Sequence, residues 1–229
     1  MMKEKLVKYL QQFVTERRRK LIDNVLQQRT RYITVVLEDI YQSQNASAVL
    51  RTCECLGIQD VHIIENRNLY QVNPDVALGS FKWLTLHKYN GVENNTGPAV
   101  EHLKCQGYRI IATSPDPESK PIEELDLHEG RIALLFGTEL EGLSQEAIQL
   151  SDMSVRIPLY GFTQSYNISV AAAITLYDLV SRLRKSSIAW NLDEKELIHL
   201  KLQWLRNSIR HPDIMDRFLI DNQKFDPEE

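Results

Sequence analysis

The chain is short of the residues and runs that mark several common protein classes. Its 229 residues include three cysteines, Cys53, Cys55 and Cys105. A sparse, odd set with no CxxC pair and no histidine pair at zinc spacing excludes a disulfide scaffold and argues for reduced thiols. Cys53 and Cys55 are two apart, so on a helix they cannot share a face or act together. No run approaches the roughly 18 apolar residues of a membrane span. The N-terminus is charged from Lys3 onward and lacks the apolar core of a secretory leader. These absences predict a soluble, cytoplasmic protein with neither membrane nor metal as a partner. Glycine is missing where a dinucleotide-binding chain needs it. The first apolar run ends Leu37-Glu38-Asp39 and no glycine follows until Gly57, so there is no GxGxxG, and GxxxxGK[ST] is absent throughout.

Charge of one sign is scarce only on average. Lys and Arg total 27 against 31 Asp and Glu, a net of -4, which argues weakly against a nucleic-acid partner. Residues 1–31, however, hold nine basic and three acidic residues, a net of +6, which leaves -10 for the other 198. That split describes a basic arm on an acidic body.

Periodicity supplies the architecture. Residues 2–28 carry an approximate helical stripe of Leu6, Leu10, Phe13, Leu21 and Val25, with Arg17-Arg18-Arg19-Lys20 spread over several faces. From Tyr32 the pattern becomes a continuous β-branched run, Tyr32–Leu37, the mark of a strand buried on both faces. Similar runs recur at Val61–Ile64, Arg109–Thr113, Ile132–Phe136 and Ser154–Leu159, with a shorter candidate at Phe81–Leu86. Helical segments alternate with them near 45–56, 97–106, 144–150 and 165–185, and an amphipathic helix follows from about Asp193 to Arg210. Alternation of this kind predicts an α/β fold with a mostly parallel sheet. The expected division is a basic helical extension (1–31), a core domain (32–185) and a C-terminal helical extension with a polar tail (186–229).

In open parallel sheets, ligands bind beyond the carboxyl ends of the strands, and three strand ends here carry unusual residues. After the first come Asn45 and, six residues later, Arg51, on a helix whose Ala48, Val49 and Leu50 pack inward. They read either as a polar cap with a surface arginine or as a polar pair aimed into a cleft. The second is Phe136-Gly137-Thr138-Glu139-Leu140-Glu141-Gly142-Leu143-Ser144, two carboxylates between two glycines before a helix capped by Ser144. It is a plain turn or a loop that brings backbone and carboxylates to a polar ligand. The third, Ile157-Pro158 followed by Gln164-Ser165-Tyr166-Asn167-Ile168-Ser169-Val170-Ala171, sets a polar cluster at the start of a small-residue helix. Capping at Ser165 accounts for only part of it.

Together, the stretches Asn45–Thr52, Phe136–Ser144 and Ile157–Ala171 resemble the SpoU/TrmH family of RNA 2′-O-ribose methyltransferases, within the SPOUT superfamily. Gly79-Ser80-Phe81-Lys82-Trp83 looks like the branch that acts on guanosine 18 in the D-loop of tRNA. The resemblance implies a C-terminal trefoil knot, a rare exception to unknotted chains, and a homodimer. It also implies S-adenosyl-L-methionine as cofactor, bound by the loops at Thr113, Gly137–Gly142 and Ile157–Asn167, with Gly137, Glu139, Gly142, Ile157, Tyr166 and Asn167 against it. Arg51 is implied as the central catalytic residue, with Asn45, Glu139, Ser165 and Asn167 orienting it and the ribose. Tyr166 departs from the pattern, which usually has leucine there; an aromatic ring still offers the cofactor an apolar wall.

With tRNA as the implied substrate, Arg17, Arg18, Arg19 and Lys20 become candidate phosphate contacts. The alternative is a solvated helix whose cations balance acidic neighbours. The reaction itself has alternatives in ribosomal RNA or another tRNA position, and, in a different class, a non-catalytic RNA-binding protein, against which the intact Arg51, Glu139 and Asn167 argue.

Overall fold

A computed structural model of the chain describes residues 2–71 and 73–209. These form two compact units: Thr30–Trp190, and the terminal segments 2–29 and 191–209 together.

The larger unit is built on seven strands: β1 (Ile33–Glu38), β2 (Asp60–Ile64), β3 (Thr85–Tyr89), β4 (Arg109–Thr113), β5 (Lys120–Pro121), β6 (Ile132–Phe136) and β7 (Met153–Arg156). They pair in the order β3-β2-β1-β6-β4-β7-β5, every pair parallel. Val35 at the centre of β1 lies between Val61 of β2 and Leu134 of β6. Because successive side chains alternate across a strand, β1 feeds two cores. Ile33, Val35 and Leu37 pack with α3 (Ser43–Leu56) and α7 (Ile168–Lys185) through Val49, Leu50, Ala172 and Leu176. Val36 faces the other side, where α5 (Thr96–Cys105) and α6 (Gln145–Leu150) contribute Val100, Leu103 and Ala147. Burial on both faces is why these strands read as unbroken apolar runs.

The smaller unit packs α1 (Met2–Leu10) and α2 (Glu16–Leu26) on α8 (Glu194–Ser208). Leu10, Ile22 and Leu26 are buried on one side, Leu200, Trp204 and Leu205 on the other. Arg29 lies over the Trp204 ring at 5.0 Å, and Lys201 pairs with Asp23 at 2.6 Å.

Several boundaries differ from the sequence expectation for physical reasons. The single helix expected over 2–28 is two. A short 3-10 turn at Gln11–Phe13 leads to extended Val14, and the Thr15 hydroxyl then caps α2 by accepting from the Arg18 amide at 3.3 Å. The strand expected at Phe81–Leu86 begins at Thr85, because Ser80–Lys82 folds into a 3-10 turn after left-handed Gly79. β7 stops at Arg156 rather than Leu159, and α7 begins at Ile168, capped by Asn167 rather than Ser165. Three small elements had not been expected: β5, the one-turn helix α4 (Pro74–Ala77) and a 3-10 turn at Ile122–Glu124. Cys53 is buried and Cys55 exposed, so the two thiols do point apart. The polar C-terminal tail lies outside the described residues. Among the described residues, no helix is long and apolar enough to cross a membrane, and no three His, Cys, Asp or Glu side chains cluster as metal ligands.

Candidate active site

All strands run in one direction, so the segments leaving β1, β4, β6 and β7 emerge on one edge of the sheet. Three of the four wall a cavity of about 470 Å³, within the size range of small-molecule sites. Thr113 and Ser114 line it at the end of β4, Gly137–Leu143 after β6, and Arg156, Ile157, Leu159 and Gln164–Ile168 after β7. Ile122, Phe136, Leu143 and Val155 give it an apolar floor. Thr113, Gly137, Glu139, Gly142, Ile157, Ser165, Tyr166 and Asn167, all expected at the site, lie on its wall.

Each wall is held locally. The Thr113 hydroxyl donates to the Leu135 carbonyl on the neighbouring strand at 2.7 Å. The loop after β6 closes on itself: the Thr138 amide donates to the Gly142 carbonyl at 2.9 Å and the Gly142 amide returns to Thr138 at 3.1 Å. Gly137 permits that closure. A Cβ there would fall 2.1 Å from the Gly142 carbonyl carbon, inside any van der Waals contact. Asn167 caps α7 by accepting from the Ser169 amide at 2.9 Å, which leaves its own amide group to point toward α3.

Asn45 joins the three motifs. Its Nδ2 donates to Glu139 Oε1 at 2.7 Å and to Gln42 Oε1 at 3.1 Å, while its Oδ1 accepts from Asn167 Nδ2 at 3.3 Å. Asn45 is buried in the first turn of α3. Ser165 is on the cavity wall and exposed. Arg51 is not drawn into the cluster. It lies on the exposed stripe of α3 with Gln44 and Cys55, and its side chain makes no hydrogen bond or ion pair among the described residues. Six residues at about 100° each turn it away from Asn45. Gly79–Trp83 does not line the cavity.

Sequence reasoning missed the carboxylates at the end of β1. Glu38 and Asp39 are both buried, and Asp39 adopts a left-handed backbone with φ of 53°. Asp39 Oδ1 accepts from the backbone amides of Asn66, Arg67 and Asn68 at 2.8, 2.8 and 3.2 Å. Arg67 then donates to Glu141 at 2.7 Å, and this hydrogen bond raises the guanidinium pKa above its ordinary value. The available signal was a pair of adjacent carboxylates, Glu38 and Asp39, closing the β-branched run Tyr32–Leu37.

The geometry defines a class: a parallel α/β protein with a ligand-sized cavity walled by three loops and tied together at one asparagine. A family model, that of the SpoU rRNA methylase family, matches residues 32–177, and the chain belongs to that family. Over 215 residues it is 47% identical to the tRNA (guanosine(18)-2′-O)-methyltransferase of Borreliella burgdorferi, an overlap of 94% of this chain and 96% of that protein. The protein of the same name from Thermus thermophilus is 33% identical over 194 residues, 84% of this chain and 97% of its own. Among solved structures, the A. aeolicus TrmH/SpoU tRNA modifying enzyme superposes with a TM-score of 0.75 at 29% identity, covering 86% of this chain and 98% of that one.

Proposed function

We propose that this protein transfers a methyl group from S-adenosyl-L-methionine to the ribose 2′-hydroxyl of guanosine 18 in tRNA. The observation that carries the reading is the double hydrogen bonding of Asn45, to Glu139 and to Asn167, at the wall of the cavity. Relatives named for guanosine 18 that align over nearly their whole length support the choice of target.

The cavity fits the cofactor in size and chemistry. Apolar Phe136, Leu143 and Val155 suit an adenine ring, while the backbone of Gly137–Gly142 and Ile157–Asn167 offers donors and acceptors for its polar edges. Half-exposed Tyr166 supplies a further flat wall. When bound, the cofactor supplies a methyl group on a sulfonium centre. A ribose hydroxyl is a weak nucleophile: its oxygen would take the methyl as the carbon–sulfur bond breaks to leave a neutral thioether, its proton would pass to solvent water, and its developing negative charge needs a partner. Guanidinium stays protonated in proteins, so Arg51 acts as a fixed cation on the forming alkoxide and the neighbouring phosphate rather than as a base. Its exposure leaves it accessible to incoming RNA. Asn45, Glu139, Ser165 and Asn167 orient the ribose.

The fuller reading has the C-terminal part of the domain threaded as a trefoil knot, with a cytoplasmic homodimer as the working form. An apolar stripe on α7 (Val170, Ile174 and Tyr177, 45, 38 and 67% exposed) supports a partner copy. In this reading residues 1–31 serve as the RNA-binding extension, with Arg17, Arg18, Arg19 and Lys20 on phosphates, 32–185 as the methyltransferase domain and 186–229 as a second helical extension.

The test is transfer from labelled S-adenosyl-L-methionine into total RNA, with mapping of the modified 2′-position. Label at guanosine 18 of tRNA is the expected result. Label in ribosomal RNA or at another tRNA position would replace the target, and no label in any RNA would overturn the activity.

A further inference from the structure

The end of β1 carries a buried carboxylate that lies outside the three motif stretches and does not itself line the cavity, standing behind the 137–143 loop. Glu38 is 2% exposed. Its Oε1 accepts from the Thr96 hydroxyl at 2.6 Å and the Ser144 hydroxyl at 2.7 Å, and its Oε2 accepts from the Ser144 amide at 2.8 Å. Hydrogen bonds to an ionised acceptor are the strong ones, and they offset the cost of taking a carboxylate out of water. Two of the three come from Ser144. That residue caps α6 and ends the loop that begins at Gly137.

What Glu38 holds at Ser144 is stiff. The Thr138–Gly142 pair of backbone bonds and the close approach of Gly137 to Gly142 make the loop a closed hairpin, not a flexible strap. The closing bonds end at Gly142, two residues short of Ser144, so a grip at Ser144 keeps the hairpin shut and thereby fixes where Glu139 stands, and Glu139 is the partner of Asn45. The circuit closes within one short segment, because Glu38 and Asn45 are seven residues apart. Asp39, between them, steadies the same hairpin from outside through the 66–68 backbone and the Arg67–Glu141 pair.

We propose that Glu38 is a positioning residue for methyl transfer, acting through Ser144 and the 137–143 hairpin to hold Glu139 on Asn45. The proposal rests on the transfer reaction proposed above, so its test includes a measurement that needs no turnover. Three variants of the full chain suffice: Glu38→Gln, Ser144→Ala and Thr34→Val. The last removes one buried hydrogen bond, from Thr34 to the Asp60 carbonyl at 2.7 Å, toward the far end of the same strand.

Amide hydrogen exchange on the cofactor-free protein reads the hairpin directly. The Thr138 and Gly142 amides should exchange about tenfold faster or more in Glu38→Gln and Ser144→Ala, and at the wild-type rate in Thr34→Val. In turnover, kcat should fall about 10- to 100-fold in the first two, as expected for misplaced reacting groups, with KM for tRNA nearly unchanged. Ser144→Thr, which keeps the hydroxyl, should restore both readouts. Should Glu38→Gln fail to fold, Glu38→Asp, which draws the carboxylate back from Ser144 while leaving the α6 cap in place, decides the matter. Unaltered exchange at Thr138 and Gly142, or an equal loss of kcat in Thr34→Val, would overturn the proposal. Absence of methyl transfer by the wild-type chain would instead overturn the reaction, and the exchange rates would still report whether Glu38 holds the hairpin.

Discussion

Asn45 and Glu139 are separated by 94 residues of chain and 2.7 Å of space. The amide is buried and the carboxylate stands on the cavity wall, so the bond couples the α3 side of the domain to the loop after β6. Asn45→Ala strands Glu139 Oε1 and the Asn167 amide together. The expected outcome is a 10- to 100-fold lower kcat, roughly, from lost orientation, and a smaller stability loss of about 0.5–1.5 kcal/mol, because Glu139 and Asn167 stand on the cavity wall where water can replace the lost bonds. Single-turnover rates and urea midpoints measure the two effects separately. A wild-type rate would remove Asn45 from the site.

Arg51 calls for the opposite pattern. It is exposed and has no partner among the described residues, so Arg51→Ala should leave folding stability within about 0.5 kcal/mol of wild type. Methyl transfer should be abolished while affinity for S-adenosyl-L-methionine, measured by calorimetry, stays near its original value. A rate close to wild type would mean that the alkoxide is stabilised by another group.

The contrast between these two residues shows what a sequence makes legible. β1, β2, β4 and β6 were readable because burial on both faces leaves a core of consecutive apolar, largely β-branched side chains (Val35–Leu37, Val61 with Ile63–Ile64, Ile110–Ala112, Ile132–Phe136), a signal that needs no tertiary information. β3 was misplaced because its residues Thr85–Tyr89 are only partly covered and include His87 and Lys88, and β5 has two residues and no pattern at all. The break before α2 depends on one hydroxyl cap and on Val14 being buried, which periodicity alone does not resolve. At the site, motif residues were visible as polar or glycine positions against apolar strands. That Asn45 touches Glu139 and Asn167 while Arg51 touches neither is a matter of angle around a helix. Glu38 was hidden for a related reason: a carboxylate ending a strand looks like a solvated terminus until its three donors are seen.

Gly137→Ala tests the hairpin from within. The new Cβ would meet the Gly142 carbon and oxygen at 2.1 Å and the Leu143 nitrogen at 2.2 Å, all backbone atoms with no rotamer to yield. Overpacking of this kind costs about 1–3 kcal/mol where neighbours can shift, and the upper end is expected here. Cofactor affinity should fall with it, because the Gly137–Gly142 segment is part of the cavity wall. Equilibrium dialysis with labelled cofactor would detect the loss. Unchanged affinity would mean that the cofactor does not use this loop.

The basic arm makes an ionic-strength prediction. Arg17, Arg18 and Lys20 are exposed at the start of α2, with Lys20 also paired to Glu16 at 2.7 Å, and Arg19 is half-buried. Phosphate contacts release counterions, so each one lost should reduce the slope of log affinity against log salt by about one. Arg17→Ala and Arg18→Ala should therefore weaken tRNA binding and flatten its salt dependence, with cofactor binding untouched. Filter binding from 50 to 200 mM salt, about the range in which such contacts are most visible, distinguishes this from a solvated helix, for which both slopes would match wild type.

A separate prediction concerns acid stability and arises at residues that do not line the cavity. His62 is buried on β2, with its Nδ1 2.9 Å from the Tyr89 hydroxyl and its ring stacked on His87 at 4.4 Å. Burial first, and then the neighbouring His87, lower its pKa from 6.5 to about 3. Below pH 6.5 the unfolded chain takes up a proton that folded His62 refuses until about pH 3, so stability must fall across that window. Asp60 acts further down. Burial alone would raise its carboxyl, but the His87 hydrogen bond and the Arg31 guanidinium at 2.6 Å outweigh that and hold it below 3.8. Its contribution is thus complete above the ordinary carboxylate range and is lost as pH falls through the folded value. Urea midpoints at pH 7.5, 6, 5 and 4, roughly spanning the His62 window, should decline steadily in the wild type. His62→Leu leaves the Tyr89 hydroxyl without this partner and lowers the whole curve, yet it should flatten the slope between pH 6 and 4. A variant slope as steep as that of the wild type would assign the acid sensitivity to other groups.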